Sequence, residues 1–402
     1  MKTAFVFPGL GSLFTDPFAH HPAGRRFAAE LASRIDAVTA DLGWPSVLSE
    51  PDLTAWSPLG EVQTYHSQLS CHRVLLEEFG LRPDVLLGHS LGEITAMVAA
   101  EGITVEDGTR LLCERATALQ AHANADAATA AFMLSSDQAA TVAAGAHGVV
   151  VAAVNSPTQV ILSGPAGEIE QLANRARAQG VRVTGLRAGP YAQHHVALGP
   201  AFERYLASVR GIRCAPLKTS VWSPVLGRAL GADDDLVLLA ALQMVRPLDF
   251  CHAVTELSSL GVTEFVECGL KDTLTRLVSE TLGGRARVWA PFKKRLTETD
   301  VRQMTALLTS PEESAMTSSD DAVTTYLRES YAAALEIPEE MVTPDVDLEA
   351  EFGLDSLQHH LVLTKAQQRW AVELGHVESP ATITVRTVAQ LLKDAGAARE
   401  TA

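Results

Sequence analysis

The chain alternates short, uninterrupted apolar runs with longer stretches whose apolar residues recur every three to four positions. "TAFVFPG" (3–9) is an apolar run cut by Pro8 and Gly9 and predicts a strand. "CHRVLLEEFG" (71–80) predicts a helix closed by Gly80, "DVLLG" (84–88) a strand, and "LGEITAMVAAEG" (91–102) a helix closed by Gly102. Strands alternating with helices imply a mostly parallel sheet covered on both faces. Residues 131–187 have their own order. "AAFML" predicts a strand, "SDQAATVAAGA" a helix, "GVVVAAVN" and "QVILSG" two strands around "NSPTQ", "AGEIEQLANRARAQG" a helix and "VRVTGLR" a strand. That βαββαβ order is the ferredoxin-like pattern, here inserted into the larger α/β domain.

"TDVRQMTALL" (299–308) predicts a last helix of this domain. The Ser/Thr-rich stretch after it, with Pro311, predicts a linker over 309–321. Beyond it "DAVTTYLRESYAAALEI", "SLQHHLVLTKAQQRW" and "TVRTVAQLLKDAG" carry helical periodicity and are punctuated by Pro338, Pro344 and Pro380. The expected organisation is a domain over 1–308, with a large part (1–130 and 188–308) and an insert (131–187). The linker and a small all-α helical bundle over 322–395 follow. The fold class is α/β with an appended helical module.

The 402 residues exceed one ordinary domain, which agrees with that division. Charges or turn residues interrupt every apolar stretch well before 18 residues, so no membrane span is expected. "MKTAFVFPGLG" reads as a first strand, not a signal peptide. Five scattered cysteines with no C-x-x-C pair read as free thiols in a reducing cytoplasm, with no metal site. The net charge of -16 argues against nucleic acid and anionic membranes, and for basic partners. Half of that excess lies in 321–402, where fourteen Asp and Glu face six Lys and Arg.

Gly88-His89-Ser90-Leu91-Gly92 matches G-x-S-x-G between an apolar strand and a helix. Ser90 is then either a small residue in a tight turn or a nucleophile pushed out of the sheet. In the second case the helix N-terminus supplies N–H groups for an oxyanion. A serine nucleophile needs a base. Of thirteen histidines, His194 and His195 follow the last strand of the insert, in "AGPYAQHHVALGPAF". Arg115 shares a helix face with Leu111 and Leu119, while Arg110 and Glu114 lie four apart on the polar face, placed to pair. An arginine on an apolar stripe either snorkels or meets an anion, and a guanidinium suits a carboxylate.

Together these pieces resemble the malonyl-CoA:acyl-carrier-protein transacylase family, which includes the acyltransferase domains of polyketide synthases. The resemblance covers roughly 1–300. It rests on "FVFPGLGS", "GHSLGE", "VNSPTQVILSG", "YAQHH" and an arginine 25 residues after the serine. It implies an α/β-hydrolase-like core with a ferredoxin-like subdomain. Ser90 would be the acylated nucleophile and His194 its base, in a pair oriented by backbone rather than by a carboxylate. His195 stands where the family usually has serine. The backbone N–H groups of Leu10 and Leu91 would form the oxyanion hole. Arg115 would hold the free carboxylate of a malonyl-type group, with Gln63 and Asn155 also binding substrate. The family's glutamines after Pro-Gly and after Gly-Ser are Leu10 and Leu13 here, and Asp249 stands where glutamine or arginine is common. "YAQH" is nearest a signature associated with methylmalonyl selection and Leu91 is more usual in malonyl-type enzymes, so the acyl group stays open.

"EFGLDSLQ" places Ser356 at a helix start, either with Asp355 as an ordinary N-cap or as an attachment serine. G-x-D-S-L in an acidic helical segment resembles an acyl carrier protein, over about 322–395. That implies 4'-phosphopantetheine on Ser356 and no metal. The implied activity is ping-pong transfer of an acyl group, malonyl or 2-substituted malonyl, from a CoA thioester through Ser90 to a carrier thiol. The implied setting is polyketide, antibiotic or fatty-acid-like biosynthesis. The acyl-CoA donor, its own or other carriers, a ketosynthase and a phosphopantetheinyl transferase are the implied partners. An editing hydrolase acting on carrier-bound, non-dicarboxylic acyl groups uses the same serine and histidine. A non-catalytic docking platform is the third reading.

Overall fold

The computed structural model describes residues 2–10, 18, 21–49, 57–122, 126–186, 189, 191–293, 322–335, 337, 341–354, 356–370, 372 and 383–395. The chain divides into two units, Met1–Leu307 and Leu308–Ala402. Along the first run β1 (Lys2–Phe7), α1 (Pro22–Asp41), α2 (Pro58–Glu77), β2 (Val85–Gly88), α3 (Gly92–Ala99) and α4 (Val105–Ala121). Then come β3 (Ala127–Phe132), α5 (Ser136–Ala143), β4 (Val150–Ser156), β5 (Gln159–Pro165), α6 (Ala166–Ala178) and β6 (Val183–Gly185). A 3-10 turn (Val196–Leu198) leads into α7 (Gly199–Val209), β7 (Ser220–Ser223), β8 (Arg228–Ala229) and α8 (Leu236–Leu242). The unit continues with β9 (Leu248–Asp249), α9 (Phe250–Ser259), β10 (Val262–Glu267), α10 (Thr273–Leu282) and β11 (Arg287–Trp289).

The larger sheet has the order β11-β10-β1-β2-β7-β8. Its neighbours are parallel except for β8, which runs antiparallel to β7. The apolar run of β1 follows from burial on both faces. Phe5 and Phe7 join Phe27, Val74 and Val266 on one side, while Ala4 and Val6 join Phe250, Val254 and Phe265 on the other. Each such fully buried Phe or Val contributes roughly 1.5–3 kcal/mol. The smaller sheet has the order β6-β3-β5-β4-β9. Its first four strands are antiparallel and, with α5 and α6, make the βαββαβ unit. Its first strand begins at Ala127 and ends at Phe132, earlier at both ends than the apolar run alone indicates. β9 adds to β4 in parallel and ties the insert to the larger part, a pairing two residues long that no periodicity announces.

Helix α2 begins thirteen residues before the amphipathic stretch at 71. Before residue 71 its apolar stripe of Val62, Tyr65 and Leu69 is blurred, because Glu61, Gln63, Thr64, Ser67, Gln68 and Ser70 are buried as well. Buried polar groups need internal partners, and here those partners place the site. Among the described ion pairs none joins Arg110 to Glu114: Arg110 points into solvent, where such a pair is worth little. The helix expected over 299–308 and the linker over 309–321 lie outside the described residues.

In the second unit, four helices are described: α11 (Ala322–Leu335), α12 (Leu348–Phe352), α13 (Ser356–Trp370) and α14 (Val385–Asp394). Leu327, Tyr331, Leu348, Val362, Val388 and Leu392 form part of a core of their own. Ser356 is the first residue of α13. Among the described residues no helix is long and apolar enough to cross a membrane.

Candidate active site

Ser90 sits between the end of β2 and the start of α3 with φ +53°, a left-handed conformation costing about 1–2 kcal/mol in a residue with a Cβ. The strain is held locally. The Glu93 N–H donates to the Ser90 carbonyl (2.9 Å), the Gly92 N–H to that of His89 (3.0 Å), and the His89 N–H to that of Phe7 (2.9 Å). The flanking glycines are required by close backbone approach. A Cβ on Gly88 would stand 2.1 Å from the Glu93 nitrogen, and one on Gly92 2.0 Å from the Phe7 carbonyl oxygen.

Ser90 Oγ lies 2.9 Å from His194 Nε2. On the far side of the ring, His194 Nδ1 is 3.2 Å from the Arg246 carbonyl oxygen. A carbonyl only accepts, so Nδ1 carries the proton and the Nε2 lone pair faces the serine hydroxyl. Burial lowers the His194 pKa to about 3, helped by the nearby His89 and then by the charge of Arg115. The ring is therefore a neutral base at physiological pH. His194 is also left-handed, φ +52°.

The adjacent His195 is committed elsewhere. Its Nε2 donates to the Gly148 carbonyl (2.9 Å) and its Nδ1 accepts the Ala197 N–H (2.9 Å), so it caps the 3-10 turn. Of the two histidines it is thus His194, the one the resemblance selects, whose ring faces Ser90.

Leu91 heads α3, so its N–H is among the first-turn donors without an intrahelical acceptor. The Pro8–Gly9–Leu10 turn runs alongside: a Cβ on Gly9 would lie 3.7 Å from Ser90 Cβ. Gln68, which no motif singled out, donates to the Pro8 carbonyl and accepts the Thr95 hydroxyl of α3. One buried amide thus locks the Pro-Gly turn to the helix behind the nucleophile. A second lock joins α3 to the segment that orients the base. Gln243 Nε2 donates to the fully buried Glu93 (2.7 Å), and burial raises the Glu93 pKa to about 7. The His195 N–H donates to Met244 in the same segment (3.1 Å).

Asn155 and Gln63 are both engaged by protein partners. Asn155 Oδ1 accepts from His89 Nε2 (2.8 Å) and its Nδ2 donates to Gln159 (2.8 Å), so both ends of its amide are taken. It joins the small sheet to the residue before the nucleophile. Gln63 Nε2 donates to the carbonyls of Val47 (3.2 Å) and Ser49 (2.7 Å) and so holds a loop. Two residues earlier on the same helix, Glu61 faces Arg115. Arg115 Nη1 is ion-paired with Glu61 Oε2, and Tyr191 donates to Glu61 Oε1 (3.3 Å). Burial works against the Arg115 charge, but Glu61 outweighs it and the pKa ends well above the usual arginine range. Asp249 N-caps α9 through the His252 N–H (2.8 Å).

The arrangement provides a strained serine, a neutral imidazole held in one tautomer by backbone, and a helix N-terminus, the components of acyl transfer through an ester. Comparison with known proteins points the same way. Residues 68–324 match the family of the acyl transferase domain. Over 294 residues the chain is 29% identical to a pikromycin polyketide synthase component, PikAII, of Streptomyces venezuelae, covering 70% of this chain and 8% of that protein. The chain thus spans under a tenth of that relative's length. A malonyl CoA-acyl carrier protein transacylase of Burkholderia pseudomallei is 31% identical, with TM-score 0.61 over 70% of this chain and 98% of that one. The Coxiella burnetii malonyl CoA-acyl carrier protein transacylase shares the fold, with TM-score 0.69 at 20% identity over 77% of this chain and 98% of that one.

Proposed function

The chain belongs to the acyl transferase domain family, and from that membership we propose that it moves an acyl group from a CoA thioester through Ser90 to the thiol of an acyl carrier protein. The carrying observation is the 2.9 Å contact between Ser90 Oγ and the unprotonated Nε2 of His194. His194 takes the hydroxyl proton as Ser90 Oγ bonds to the thioester carbonyl carbon. The N–H groups of Leu91 and Leu10 face the oxyanion. The carbon–sulfur bond then breaks, and His194 returns the proton to the departing thiolate. In the second half His194 takes the proton of the incoming carrier thiol. The new thioester bond forms, the Ser90 ester bond breaks, and Ser90 recovers its proton. The 31% identical Burkholderia pseudomallei structure, described as a malonyl CoA-acyl carrier protein transacylase, supports both the donor and the acceptor.

The proposal includes the second unit as an acceptor. Ser356 at the head of the 15-residue helix α13 would carry phosphopantetheine, which supplies the acceptor thiol. The negative charge of 321–402 suits basic partner surfaces. A malonyl-type acyl group would set its free carboxylate on Arg115. The buried Glu61 on that guanidinium favours a second reading, an acyl group without one.

The 13 residues of 309–321 reach at most about 45 Å, at roughly 3.5 Å per residue, which allows self-loading. Mixing Ser90→Ala holo-protein with Ser356→Ala protein should load the carrier at least tenfold more slowly than the intact holo-chain does at equal concentration. Equal rates in the mixture would rule out a preferred intramolecular route.

A further inference from the structure

We infer that Glu61 is a specificity-determining residue, and that the Glu61–Arg115 pair sets the enzyme to carry uncharged acyl groups in preference to malonyl-type ones. The inference rests on the acyl-transfer reading of Ser90 and deepens it.

Glu61 and Arg115 side chains are 0% and 5% exposed, so solvent screens neither. Both carboxylate oxygens of Glu61 are engaged, Oε2 by Arg115 and Oε1 by the Tyr191 hydroxyl. Glu61 sits in the first turn of α2, which Ser57 caps through the Gly60 N–H (3.0 Å), so it is carried on a fixed element. Tyr191 lies three residues before His194 in the chain, and the Arg115 charge reaches the His194 ring. Through Tyr191 the pair is tied to the segment that carries the base, and its net charge is zero. A free acyl carboxylate arriving there would put two anions on one buried guanidinium. Like charges without solvent screening disfavour that complex. An uncharged acyl group adds no charge. Arg115 Nε has no acceptor among the described residues, and an uncharged oxygen on the acyl chain satisfies it without unbalancing the pair.

The test uses the full chain with equal concentrations of propionyl-, 3-hydroxybutyryl-, malonyl- and methylmalonyl-CoA. Reactions are quenched in acid, and the mass added to the Ser90 peptide is followed in time. The two uncharged groups should label Ser90 at least tenfold faster than the two dicarboxylic ones. Glu61→Gln leaves Arg115 its full charge and should raise malonyl labelling at least tenfold. Malonyl or methylmalonyl labelling of wild type at or above the propionyl rate overturns the inference and leaves acyl transfer standing. So does an unchanged malonyl rate in folded Glu61→Gln. If that variant does not fold, the wild-type panel decides alone. If no acyl-CoA labels Ser90, the acyl-transfer reading itself fails and the inference with it.

Discussion

His194→Ala should lower the rate of Ser90 acylation about 10³-fold, within the 10²–10⁴ range typical of a general base. The protein should remain folded, because the ring bonds one hydroxyl and backbone groups and makes no ion pair among the described residues. The pH profile of the wild-type enzyme carries a second, independent sign. The reactive form of His194 is the neutral one, and burial depresses its pKa to about 3. The active form is therefore fully populated from pH 8 down to about 5. Acylation should show no acidic limb in that window. An imidazole titrating near its ordinary 6.5 would halve the rate there and cut it roughly tenfold by pH 5.5. Initial acylation rates between pH 5 and 8, with folding checked by circular dichroism, distinguish the two.

Gly92→Ala should be among the most damaging changes that add a single methyl group. The new Cβ would lie 2.0 Å from the Phe7 oxygen, 2.6 Å from the Phe7 carbon and 2.8 Å from the Pro8 oxygen, all backbone atoms that no rotamer change relieves. Either α3 or the end of β1 must move, and the Leu10 N–H follows β1. Overpacking of this kind typically costs about 1–3 kcal/mol, with rigid backbone at the upper end. Displacing the oxyanion donor proposed at Leu10 should cost a further hundredfold in kcat. Gly167→Ala is the control. It lies in α6 with nothing within 4 Å of its Cβ, and should gain up to about 1 kcal/mol from helix propensity. Urea denaturation and steady-state kinetics on the two variants read both effects.

The nucleophile turn was legible in the sequence because its causes are local. An apolar strand, two glycines and a helix start lie within a few residues, and the turn admits little else. The face of Arg115 was legible for the same reason, since helical spacing alone sets Leu111 and Leu119 beside it. What faces it was not. Glu61 is 54 residues away in sequence and occupies a helix first turn, where an acidic residue is ordinary. Gln63, only two positions on, points about 200° away around the helix and braces a loop instead. The group that orients His194 is a backbone carbonyl, and a carbonyl has no residue type to read. Gln68 was hidden differently: buried polar residues blur the apolar stripe that marks a helix, so the part of α2 before residue 71 had no clear signature. The Glu93–Gln243 bond joins residues 150 apart in sequence, a distance no local pattern spans.

The central claim is that the acyl group rests on Ser90 between donor and acceptor. The direct measurement is the mass of the Ser90 and Ser356 peptides at millisecond-to-second intervals after mixing the holo-protein with propionyl-CoA. The account predicts that the acyl increment appears first on the Ser90 peptide and then moves to the Ser356 peptide, and that Ser90→Ala shows neither. An increment reaching the Ser356 peptide undiminished in Ser90→Ala would contradict it, since transfer would then bypass the serine.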